Sequence, residues 1–151
     1  MTAPRAVPPS PWAQRLGAAG LIPFVLLAAG LWVLAPPLQP FVAQALVGYG
    51  ATIASFLGAL HWGLVMRDAS RQTPALLAWG VMPSLLAWAA LLVGPAPGLL
   101  VMAAVLWVCY TFDRLIYPRF QVQGWLPMRL TLTAVASLSC VAGAARLLVA
   151  A

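Results

Sequence analysis

The chain contains no lysine, and its acidic residues are two aspartates, Asp68 and Asp113, among 151 residues. Only 7% of the residues are charged, against roughly a quarter in soluble proteins. With 64% hydrophobic residues, no single water-soluble domain could bury so much apolar surface. Histidine is represented once, by His61, which excludes a bis-histidine haem and most zinc sites built from one chain. The two cysteines, Cys109 and Cys140, lie in apolar segments and belong to no CxxC or Cys/His cluster, so neither a metal nor another cofactor is expected.

What the chain does have is long apolar runs. Five of them occupy residues 16–34, 41–66, 74–93, 98–117 and 126–149. At 1.5 Å per residue even the shortest, about 28 Å, approaches the ~30 Å of a hydrocarbon core. The backbone in lipid must satisfy its own hydrogen bonds, and runs without period-2 alternation satisfy them as helices rather than as barrel strands. The connecting segments 35–40, 67–73, 94–97 and 118–125 are short and rich in proline, glycine and polar residues. Such links make consecutive helices antiparallel neighbours. The sequence therefore predicts an all-α polytopic membrane protein, a compact bundle of five transmembrane helices over 16–149, preceded by a cytoplasmic segment, 1–15. Pro23 and Pro83 fall within the first and third spans and are expected to kink them.

Formal charge is +6, which in a soluble chain would suggest nucleic acid. Here the arginines lie between apolar runs rather than along one stripe, so no nucleic-acid partner is expected. Arg5 and Arg15 precede the first span, Arg67 and Arg71 separate the second from the third, and Arg114, Arg119 and Arg129 flank the last connection. Arg146 alone lies toward the other side. The positive-inside rule then predicts the N-terminus in and the C-terminus out. The first run is too long for a signal-peptide core, and the nearest cleavage-like string, Ala43-Gln44-Ala45, lies far beyond it, so a retained span is expected.

Depth brings three ionisable residues together. His61 lies about 7 to 8 Å from the inner end of its span, Asp113 about 6 Å, and Arg129 is within the first turn of the last span. Tyr110, Asp113 and Tyr117 follow i, i+3, i+7 spacing on one helix face. An ionised aspartate there needs a partner, with Arg129 and Arg67 as the first candidates and His61 as the third. One reading is a proton-transfer or anion-binding cluster, since ionisable residues in spans often mark a pathway. The other is a structural ion pair. A path would need polar groups through the whole thickness, and only Ser84, Ser137, Ser139, Thr52 and Gln44 are available farther along, so the ion pair is preferred.

Gly50, Ala54 and Gly58 recur every fourth residue, beside a second row of Ala51, Ser55, Ala59 and Gly63, as close helix contact in lipid requires. His61 is within about 60° of that face, which points its ring at a neighbouring helix. Trp12, Tyr117, Phe120 and Trp125 fit an inner aromatic belt, and Trp32 and Phe41 an outer one. Trp79, Trp88 and Trp107 lie deeper, as packing residues or as the lining of a crevice for a quinone or lipid. The depths of Cys109 and Cys140 differ enough to exclude a disulfide.

Four strings carry a family resemblance: Leu16-Gly17-Ala18-Ala19-Gly20-Leu21-Ile22-Pro23-Phe24, the stretch from Tyr49 to Gly63 with its Ser55-Phe56-Leu57-Gly58 core, Met82-Pro83-Ser84-Leu85-Leu86-Ala87-Trp88, and the stretch from Trp125 to Thr133. Together they resemble the small membrane family catalogued as domain of unknown function 3429, to which the mitochondrial transmembrane protein 69 is related. The resemblance implies a small polytopic protein of a bacterial cytoplasmic (inner) membrane, or of the mitochondrial inner membrane in a eukaryote. It carries no activity, and raises His61, Trp62, Asp113 and Arg129 as positions to test. Three functions compete. The first is a non-enzymatic structural or assembly factor for a membrane complex, surrounded by lipid and associating with that complex or with itself. The second is a small proton-coupled transporter using His61, Asp113 and Arg129. The third is a membrane enzyme acting on lipid or quinone.

Overall fold

A computed structural model of the chain describes residues 8–149; Arg5, with the rest of residues 1–7, lies outside the described residues. Six α-helices form five units long and apolar enough to cross a membrane. The first unit is two helices, α1 (Pro11–Ala19) and α2 (Ile22–Val33), where the sequence suggested one kinked helix. α1 begins at Pro11 rather than at Leu16, because the Ser10 hydroxyl accepts from the Ala13 N–H at 3.2 Å and Pro11 needs no N–H partner in the first turn. The two helices divide at Gly20 and Leu21, both of which keep right-handed helical backbone angles. Pro23 consequently occupies the first turn of α2, where its missing N–H costs nothing, instead of the interior of a long helix.

α3 (Gln39–Arg67) is the longest helix at 29 residues, about 43 Å of rise, and must tilt to fit a hydrocarbon core of ~30 Å. α4 (Pro74–Leu92) starts under a Thr73 cap, whose Oγ1 accepts from Leu76 N at 3.2 Å. α5 (Pro95–Ile116) follows a tight turn at Gly94, whose φ of +91° suits glycine. Two short 3₁₀ turns, Tyr117–Phe120 and Gln123–Trp125, lead into α6 (Leu126–Val149).

α3 is the hub, packing on α2, α4 and α5, while α5 and α6 form a second tight pair. Phe24, Leu31, Leu46, Leu99, Met102 and Leu106 fill the centre. Small residues set the helix separations. A Cβ on Gly50 would fall 2.6 Å from Met102 Cγ, and one on Gly58 would strike the Gly80 carbonyl oxygen of α4. Gly50, Ala54 and Gly58 therefore seat α5 and α4 within the chain, and this face is not left over for a second copy. In the second row, Ala59 and Gly63 remain exposed. Pro83 is buried inside α4, next to that glycine crossing. Cys109 and Cys140 are both buried free thiols.

Candidate functional site: a buried carboxylate at a three-helix junction

Three helices meet near the arginine-rich end of the bundle, and each contributes one ionisable side chain. α5 supplies Asp113 (1% exposed), α6 supplies Arg129 (6%) and α3 supplies His61 (1%). Arg129 donates from Nε to Asp113 Oδ2 at 2.8 Å, and its Nη2 approaches the same oxygen at 2.7 Å. The other carboxylate oxygen, Oδ1, faces His61 Nε2 at 3.4 Å. At the far edge of the ring, Nδ1 lies 3.2 Å from the Leu57 carbonyl oxygen, one turn back on α3. The imidazole thus stands between two acceptors: a neutral ring donates to one, a doubly protonated ring to both.

Aromatic rings close this centre. Trp79 of α4 stands edge-on to His61 at 6.5 Å between centroids and stacks on Phe112 at 3.5 Å. The Tyr117 ring lies 6.3 Å from His61 and is itself buried. An apolar enclosure strengthens the attraction between Asp113 and Arg129 while raising the cost of either charge standing alone. Among the described residues no group of His, Cys, Asp and Glu has the makings of a metal site.

The structure brings together His61, Asp113, Arg129 and Tyr117, and separates two others from them. Arg67, a candidate partner for Asp113, instead donates from Nη2 to the Phe120 carbonyl at 2.9 Å. It belongs to the last turn of α3, where a long side chain reaches the neighbouring loop more readily than it turns back into the bundle. Tyr110 packs edge-on against Trp107 at 5.9 Å and is half-buried. Three residues before Asp113 places it about 60° around α5, enough to leave the junction.

Sequence reasoning did not single out two residues here, Trp79 and Thr133. Trp79 was legible only as one deep tryptophan among three. Thr133 is one turn from Arg129 on the same helix face, which is the signal that would have found it. Its hydroxyl is buried without a partner, whereas Ser55, Thr111, Thr131 and Ser139 all bond the carbonyl four residues back.

The matching residues run through all six helices. Residues 9–145 match the family model described as Protein of unknown function (DUF3429). The chain belongs to that family. It is 39% identical over 136 residues to Transmembrane protein 69 of Xenopus tropicalis, covering 85% of this chain and 52% of that protein. Transmembrane protein 69 of Mus musculus is 38% identical over 76 residues, 49% of this chain and 31% of that one. The chain thus spans about half the length, or less, of these curated relatives. No solved structure matches it. The DUF3429 match includes His61, Asp113 and Arg129, and the helices carrying them make the protein a multi-pass membrane protein of a family whose function is unknown.

Proposed function

We propose that this DUF3429 protein is a non-enzymatic accessory or assembly factor of an inner-membrane complex, with its N-terminus on the cytoplasmic or matrix side. The observation that carries this reading is the closure of its ionic centre. Both strong charges of the junction are spent on each other inside the chain, with Asp113 at 1% exposure and Arg129 at 6%, beneath a lid of aromatic rings. A centre of this kind fixes how α3, α5 and α6 sit together and thereby the shape of the outer surface offered to a partner. The proposed sidedness is supported by the arginines: Arg67 and Arg71 bond the carbonyls of Phe120 and Arg119, so both charged loops gather at one end, the end that the positive-inside rule assigns to the inner side. Purification at native expression in mild detergent should recover a stoichiometric protein partner. Recovery of the chain alone would count against the proposal.

A proton-coupled carrier is the second reading, favoured by one contact. His61 Nε2 and Asp113 Oδ1 are 3.4 Å apart without a formed hydrogen bond, a spacing that transfer of one proton would tighten. In proteoliposomes Asp113→Asn would then abolish proton-driven flux; unchanged flux removes the carrier.

A further inference from the structure

A second feature lies on the other side of Arg129. Between the α1–α2 arm and helices α3, α5 and α6 is a half-open cavity of about 550 Å³. That volume lies within the ~300–1,000 Å³ range of small-ligand sites. Its walls along most of the length are apolar, formed by Leu16, Phe24, Phe56 and Leu60 among others. On α3 the lining extends from Ile53 to Arg67, about 21 Å of helix rise. One leaflet's share of a ~30 Å core is about 15 Å, so the cavity is deep enough to take an acyl chain from the interface to the mid-plane.

Polar groups occur at the arginine-rich end and on one wall: Arg67, Arg129, Tyr117 and Thr133. All four carry hydrogen-bond donors, although Arg129 is engaged by Asp113 and the Thr133 hydroxyl is enclosed, and no carboxylate lines the cavity. The charges on offer are also uneven. Asp113 is engaged by Arg129 and Asp68 by Arg71, which leaves Arg67 without an acidic partner among the described residues. Arg67 uses Nη2 on the Phe120 carbonyl, and its exposed side chain lines the arginine-rich end of the cavity. Deeper in, Thr133 contributes to the wall, but its Oγ1 is enclosed, as is Ser137 Oγ one turn farther along α6, so Arg67 is the polar group open to a ligand.

We propose that this cavity is a binding site for an anionic membrane lipid. One acyl chain lies along α3 between Phe24 and Leu60, and the acidic headgroup meets Arg67 at the interface. The proposal is independent of the accessory-factor reading. It needs no chemistry, only an apolar slot of leaflet depth with unneutralised positive charge at its mouth.

Native mass spectrometry of the full chain, delipidated in detergent, provides the test, with phosphatidylglycerol, phosphatidylcholine of the same acyl chains, and a long-chain quinone as probes. Phosphatidylglycerol should bind one to one and about tenfold more tightly than phosphatidylcholine, the worth of one charge-assisted contact. Arg67→Gln, which keeps a donor for the Phe120 carbonyl, should remove that preference. Ala13→Trp, which fills the cavity from α1, should abolish the bound lipid altogether. Equal binding of both phospholipids, displacement by the quinone at equal concentration, or lipid retained by Ala13→Trp would overturn the proposal. Should Arg67→Gln not accumulate, the wild-type comparison and Ala13→Trp still decide the matter.

Discussion

Replacing Arg129 with methionine keeps most of its volume and removes the cation that neutralises Asp113. At the 2.7 Å separation between Nη2 and Oδ2, the gross attraction is about 6 kcal/mol for an effective dielectric constant of about 20. Much of that is offset by the cost of bringing both groups out of water, so the pair itself contributes little net stability. Removal of one partner is a different matter: it strands a charge at 1% exposure, a loss of about 3–5 kcal/mol. Asp113→Leu strands the guanidinium and should cost a similar amount. The double variant, Asp113→Leu/Arg129→Met, has neither charge, while His61 keeps its Leu57 contact, so it should recover to within about 1 kcal/mol of the wild type. Unfolding in mixed micelles by titration with dodecyl sulfate, followed by tryptophan fluorescence, measures all four proteins. Single losses below about 1 kcal/mol that simply add in the double variant would refute a structural ion pair.

Helix separation gives a sharper contrast. Gly58→Ala drives a methyl group into the Gly80 carbonyl and should destabilise by about 2–3 kcal/mol in the same titration, whereas Gly63→Ala, with nothing within 4 Å, should be neutral or slightly stabilising. In the loop after α3, the Ser70 hydroxyl and then Arg71 hold the Asp68 carboxyl below its ordinary value of 3.8. A depressed native pKa means that the loop's stabilisation is present above 3.8 and is lost as pH falls through the lower folded value. Amide exchange at residues 69–71 should accelerate across that acid range, and Asp68→Asn should abolish the change. Cys109 and Cys140 should resist a membrane-permeant maleimide in the folded protein and react once it is unfolded in dodecyl sulfate.

Hydropathy and breaker residues were sufficient to locate five spans, because lipid imposes a length and forbids unpaired backbone. Pro23 marked the first span for a kink but not for a division into two helices: Gly20 and Leu21 continue the apolar run, and the break falls where the Ala19 carbonyl would need the N–H that Pro23 lacks. The Asp113, Arg129 and His61 junction was legible from depth along each helix. Lateral direction was not, and so Arg67 and Tyr110 shared the level of that group without joining it. The cavity left no trace in the sequence. A leucine or phenylalanine facing an empty slot reads like one facing a neighbour, and the unpartnered hydroxyl of Thr133 became visible only beside the serines and threonines that do bond their own helix.

The measurement that bears most directly on the accessory-factor proposal is the partner stoichiometry of the charge-free double variant, purified in mild detergent at native expression beside the wild type. If the buried centre serves only to hold α3, α5 and α6 in place, Asp113→Leu/Arg129→Met folds and brings down the same protein partner in the same ratio. A wild type recovered alone, or a folded double variant that has lost the partner, would contradict it.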